Sequence, residues 1–281
     1  MTIDTETRPA TEITPRPTRP SRRSRRTSKL RLAALVAVPL ILAILGAFGV
    51  VYRTVSTHQR ALHVDAPPLA VTPIATAAAP ANGSSTTGAT GGPLVDPGWI
   101  QRTSAVTGIS PRALEGYGKA QITIASLKPG CRLGWNTLAG IGWIETGHGT
   151  TRGSTLMPDG RTSKLILGPA LDGTKGTRAI SATVADHAAT GDPDWDHAAG
   201  PMQFIGGTWA RWGIDGNRDG IVDRNNIDDA ALAAAMYLCA GDRDLSTGEG
   251  WEKAIHSYNH SDKYVLAVNK RANKYAIAAM Q

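Results

Sequence analysis

Three regimes of apolar and polar positions follow one another along the chain. The first is a continuous apolar run: Leu32 to Tyr52 reads LAALVAVPLILAILGAFGVVY, 21 positions without a charged residue. About 20 apolar residues make a helix long enough to cross a bilayer, and Pro39 does not disqualify it, because transmembrane helices tolerate proline. A cleaved signal peptide would have a shorter apolar core and a small-residue cleavage site close behind it. RTVSTHQR follows instead, so the pattern predicts an uncleaved anchor over 32–52. The pair Arg25–Arg26 resembles a twin-arginine signal, but the residues after it fit poorly. The second regime has no periodicity. Residues 53–95 are rich in Ala, Pro, Thr, Gly and Ser, as in APANGSSTTGATGGP, and are read as a flexible linker that cannot bury enough apolar surface to fold. Residues 1–31 are read as a disordered tail.

The third regime, 96–281, is helical in its spacing. Ser110 suits an N-cap and Pro111 a first helical residue, which predicts a helix over 110–127. A second is predicted from about Gly134 to Glu145, stopping at Gly147. Residues 148–198 carry Gly, Asp and Thr with only short apolar stretches and read as a long, mostly irregular excursion, of a length that is often functional. GGTWARWG predicts a short helix, and IDDAALAAAMYLCA a strong one with acids in its first turn. GWEKAIHSYNH and KYVLAVNKRANKYAIAAM complete the set. No strand pattern of any length and no internal repeat is visible. The expected fold class is mainly α, in one domain large enough for a real core.

Charge changes the picture in one respect. The chain carries 30 Lys/Arg and 23 Asp/Glu, a net +7. Residues 1–53 hold 10 bases and 3 acids, which is the whole excess, and the remainder is formally neutral. A neutral body has no electrostatic footprint for phosphate backbones, so nucleic acid is excluded as a partner. Nine Lys/Arg precede the apolar run, which places the N-terminus in the cytoplasm and the domain outside the membrane. In that oxidising setting the two cysteines, Cys131 and Cys239, are expected to pair.

One acid stands out. AGIGWIETGHG, Ala139 to Gly149, puts Glu145 inside an apolar, glycine-rich run. Glu145 lies four residues after Ile141 and seven after Leu138, on the stripe begun by Trp135, and points inward. Burial and the negative helix end both disfavour its ionised form and raise its pKa, which suits a general acid near neutral pH. The bland alternative is a Glu satisfied by a cap or salt bridge. The rival acids are Asp192, Asp194 and Asp196 in GDPDWDHAAG, a stretch that reads as an exposed loop.

Three short motifs, ETGHG, then GPMQF, then SYN, resemble the lytic murein transglycosylases, specifically the membrane-bound type B group and its actinobacterial relatives. The resemblance covers about residues 97–276. It implies a lysozyme-like, mainly α fold. It also implies cleavage of peptidoglycan between N-acetylmuramic acid and N-acetylglucosamine without water, leaving a 1,6-anhydro ring. By position, Glu145 matches the single catalytic acid. Met202 and Gln203 match the glutamine motif beside the sugar site, Tyr258 and Asn259 match the motif lining the cleft, and Trp209 fits the family order. The resemblance implies peptidoglycan glycan strands as the partner and requires no cofactor. Two alternatives remain open from the residues: a water-using muramidase on the same fold, and a non-catalytic glycan-binding envelope protein.

DGNRDGIVDRNN resembles an EF-hand loop, with Asp215, Asn217, Asp219 and Asp223 at positions 1, 3, 5 and 9, Ile221 offering a carbonyl at 7 and Gly220 at the turn. Position 12 should be a bidentate Glu and is Asn226. A structural calcium is the expectation there, against a turn held by its own Asp side chains. Trp143, Trp195, Trp209, Trp212 and Trp251 are read first as core. His148, His256 and His260 are read as solvent-facing or capping, and no zinc motif is present.

Overall fold

A computed structural model describes residues 62–72, 95–174 and 176–281. The tail, the apolar run 32–52 and most of the expected linker lie outside the described residues. Among those described, no helix is long and apolar enough to cross a membrane.

The described chain is mainly helical with one tiny sheet. Helix α1, Pro97–Thr107, opens the domain. Asp96 accepts a hydrogen bond from the Gly98 amide at 2.7 Å and Pro97 takes the first helical position. These start signals were present in the sequence, but the reading above began one helix later. Helix α2, Pro111–Leu127, starts on the predicted Ser110 cap. Helix α3, Trp135–Thr146, ends at Gly147, whose φ of 59° is the left-handed stop that glycine takes without steric cost. The predicted short helix is α5, Gly206–Trp212, and the alanine-rich one is α6, Ile227–Leu238. Helices α7, Gly248–Tyr258, and α8, Asp262–Ala279, complete the set.

The 148–198 excursion has more order than its composition suggested. It contains strand β1, Leu167–Ala170, helix α4, Val184–Thr190, and strand β2, His197–Ala199. The strands pair antiparallel with an irregular register. Strands this short show no alternation to detect. Helix α4 does carry a start signal, the capping box of Thr183 and Asp186.

Packing explains why α3 sits at the centre. Every residue from Trp135 to Gly142 is buried, so α3 is surrounded, not merely striped on one side. Gly140 lets α8 approach closely, since a Cβ there would lie 3.1 Å from the Val268 carbonyl and 3.2 Å from Ala272. The two helices run antiparallel: Asn136 donates to the Ala272 carbonyl at one end, and Glu145 meets Tyr264 at the other. Helix α6 is buried over most of its length and packs on α2, where Gly116 leaves room for Ile227. Arg112 and Asp228 bridge the same two helices in a partly buried ion pair. The expected disulfide forms between Cys131 and Cys239, which are 108 residues apart, and joins the turn before α3 to the end of α6.

Residues 62–72 depart from the flexible linker expected over 53–95. They lie extended along the body as a strap. The Ala70 carbonyl accepts from the Trp135 amide at 3.2 Å, and the Pro68 carbonyl accepts from Asn136. The Asp65 carbonyl accepts from Asn269, and the Thr72 amide donates to Gln121 at 2.9 Å. Leu62, Val64, Ala66 and Ala70 pack against the core. Composition missed this because an extended segment uses its backbone to bind and needs no periodic apolar face of its own.

Candidate active site

Glu145 leaves the last turn of α3 only partly exposed. The Tyr264 hydroxyl, from the first turns of α8, donates to its Oε1 at 2.5 Å. Burial pushes the carboxyl up to about 7, against the pull of that hydrogen bond in the other direction. The acid therefore holds its proton at a pH where an ordinary carboxyl has lost it. Burial, together with the neighbouring carboxylate, raises Tyr264 far above the usual phenol, so it remains a donor.

The GPMQF segment is a tight reversal off β2. Ala199 and Phe204 exchange backbone hydrogen bonds at 2.9 and 3.0 Å, with Gly200 at φ 78° between them. A side chain at 200 would overlap the Arg224 carbonyl, so the turn requires glycine. Gln203 sits at φ 51°, a left-handed conformation that costs a non-glycine residue. Its amide donates to the Gly200 carbonyl at 3.0 Å. Met202 is fully buried; its carbonyl accepts from the Tyr258 hydroxyl at 2.7 Å and its sulfur lies close to Gly142 of α3.

A cavity of about 390 Å³ opens here. Gln203, Phe204 and Tyr258 line it from the body, and Arg178 and Ile180 from the excursion. Glu145 is not among its lining residues. Tyr258 links the two, since it lines the cavity and is raised first by burial and then by the charge of Glu145. Of the residues singled out in the sequence, Gln203 and Tyr258 share the cavity, and Glu145 acts on Tyr258. Met202 is a packing residue with a useful carbonyl. Asn259 stands exposed at the C-cap of α7 and does not line the cavity. A larger cavity of about 590 Å³ lies beside Thr72 and α2, lined partly by Ile122 and Leu127, and holds no carboxylate or histidine.

Two of the three rival aspartates are committed elsewhere, and Asp194 is exposed. Asp192 binds His197 at 2.8 Å and two backbone amides, which hold it down at about 2. Asp196, expected on an exposed loop, is 1% exposed and accepts from the amides of His197 and Gly206. These acids fasten β2 and α5. His148 also departs from expectation: it is buried between the Tyr117 and Tyr275 hydroxyls at 3.0 and 2.9 Å. His256 lies 3.7 Å from Asp262, and exposed His260 lines the cavity. Trp251 is core as expected, and Trp195, Trp209 and Trp212 are partly exposed. Trp143 is 41% exposed under the Arg271 guanidinium, which stacks 3.9 Å from its ring.

The calcium pattern is not met as drawn. Asn226 has turned to cap α6, accepting from the Asp228 amide at 2.9 Å, so position 12 faces away. Asp215 accepts from the amides of Asp219 and Gly220, Asn217 from Asp219, and Asp219 from Ile221. Asp229, which the motif did not include, closes the loop by accepting from the amides of Gly216 and Asp223. Burial raises it to about 6. Among the described residues no three His, Cys, Asp or Glu side chains gather as a metal site. The residues as they stand fit a self-held turn.

Sequence reasoning also missed Tyr264. A signal existed: Tyr264, Val268, Ala272 and Tyr275 share the buried face of α8, and a hydroxyl on an apolar face needs a partner.

No protein-family model matches the chain, and no curated protein does. Two solved structures of an Escherichia coli lytic transglycosylase, Slt35, match at 16% identity. The one in complex with calcium covers 66% of this chain and 80% of that one, with a TM-score of 0.39. The one in complex with bulgecin A covers 70% and 82%, with a TM-score of 0.35. A likeness this distant carries no argument about chemistry.

Proposed function

We propose that the chain is a peptidoglycan lytic transglycosylase acting through Glu145 alone. The observation that carries this reading is a single partly buried carboxyl held protonated near neutral pH beside a cavity lined by Gln203 and Tyr258. A water-using glycosidase normally needs a second carboxylate about 5–10 Å from the first; of the obvious rivals, Asp192 and Asp196 are spent on backbone amides and His197, and Asp194 is exposed. One acid can serve twice. Glu145 first protonates the glycosidic oxygen while the substrate's own 2-acetamido group attacks C1. The resulting carboxylate, still accepting from Tyr264, then takes the proton of the C6 hydroxyl as that oxygen closes on C1 and displaces the acetamido oxygen, which regenerates the amide. Holding the hydroxyl near C1 exploits effective molarity. Calcium has no step in this scheme.

The apolar run 32–52 would anchor the chain with its N-terminus in the cytoplasm and the domain on the wall side. The test is digestion of purified peptidoglycan by residues 62–281, with products read by mass spectrometry. Anhydromuramic ends, absent with Glu145→Gln, are expected. Reducing-end muramic acid would instead mean hydrolysis, and binding without cleavage would mean a glycan-binding protein.

A further inference from the structure

Gly147, His148 and Gly149 follow Glu145 with φ of 59°, 64° and 80°. Three consecutive left-handed residues are a place for glycine, and the middle one is not glycine. A residue kept where its backbone is strained implies that its side chain does something the fold or the site needs. His148 is only 4% exposed. Its Nδ1 pairs with the hydroxyl of Tyr117 on α2 and its Nε2 with that of Tyr275 on α8, at 3.0 and 2.9 Å. A neutral imidazole has one donor and one acceptor, so one tyrosine donates to the ring while the ring donates to the other. Burial and nearby Arg271 keep it neutral, lowering it to about 3.

We propose that His148 is a positioning residue for Glu145, clamping the turn after the acid to α2 and α8 so that the carboxyl stays in register with the Tyr264 hydroxyl. The geometry supports this because α8 carries both partners: Tyr264 for the acid and Tyr275 for the ring. Thr146 ties the same turn to the GPMQF reversal, its hydroxyl donating to the Pro201 carbonyl at 2.7 Å and accepting from the Gly149 amide at 2.8 Å. The groups facing Glu145 are then Tyr264 from α8 and Tyr258 from the end of α7. The inference rests on the reading of Glu145 as the acid, and its first test needs no substrate.

The test compares the full chain carrying His148→Gly with the unchanged sequence. Glycine removes the ring and relieves the backbone. The Glu145 titration, read by carbon NMR of labelled glutamate, should move up from its start near 7, because losing the Tyr264 hydrogen bond removes the contact that pulls it down. The kcat on peptidoglycan should fall about 10–100-fold with KM within threefold, and 50 mM imidazole should restore part of it. His148→Gln, which can still donate one bond and accept one, should keep the titration near its original position; it also serves if the glycine variant does not fold. An unmoved Glu145 titration in a folded variant, or full turnover without the ring, overturns the proposal. A moved titration in a protein that never cleaves peptidoglycan upholds the clamp and rejects the proposed substrate.

Discussion

At the residue scale, the buried acid has a thermodynamic signature of its own. The folded chain holds the Glu145 proton up to about 7, against an ordinary value of 4.5 in the unfolded chain. Between those values the folded state binds the extra proton, so stability falls as pH rises, by about 1.4 kcal/mol per unit. Asp229, raised from 3.8 to about 6, acts in the same direction at lower pH. Glu145→Gln should therefore abolish turnover and yet stabilise the fold at pH 8 by about 2–3 kcal/mol, since the amide can still accept from Tyr264 and carries no charge to bury. Urea unfolding at pH 8 and at pH 4 checks this: the advantage should vanish at pH 4, where the acid is protonated in both states. A variant less stable than the parent at pH 8 would mean that the carboxyl is well solvated.

At the element scale, the strap and the acidic loop make opposite demands on the chain outside the helices. Gly134 at the N-cap of α3 offers no side chain, and the Ala70 carbonyl of the strap receives the Trp135 amide instead. A protein beginning at residue 73 should melt roughly 5–15 °C below one beginning at 62, on the basis of about 2–4 kcal/mol for the strap's hydrogen bonds and buried apolar groups. Equal melting temperatures would mean that the strap is dispensable. The 215–226 loop, by contrast, holds itself through its own side chains. Chelation with EGTA at 25 °C should leave the turnover of the purified domain intact. Loss of turnover that calcium restores would show that the loop needs an ion to support the site.

At the scale of the whole molecule, the covalent link sets the limit on stability. The Cys131–Cys239 bridge spans 108 residues and encloses α3, the excursion, α5 and α6. In the chain-entropy model a loop near that length contributes ~4–5 kcal/mol, so Cys131→Ser with Cys239→Ser should lower the melting temperature by at least 8 °C in calorimetry. A shift under 2 °C would show the core alone suffices.

Most helix positions, the cap at Ser110, the stop at Gly147 and the unusual standing of Glu145 were legible in the sequence, because each follows from short-range rules of spacing, capping and the cost of burying charge. The disulfide was legible because two cysteines allow one pairing. Tyr264, the Tyr117–His148–Tyr275 clamp, the docking of 62–72 and the replacement of Asn226 by Asp229 at the acidic loop were decided only by the tertiary structure. Those contacts join residues 6 to 204 positions apart through hydrogen bonds. No local pattern encodes which distant donor will face a given acceptor until the helices have packed.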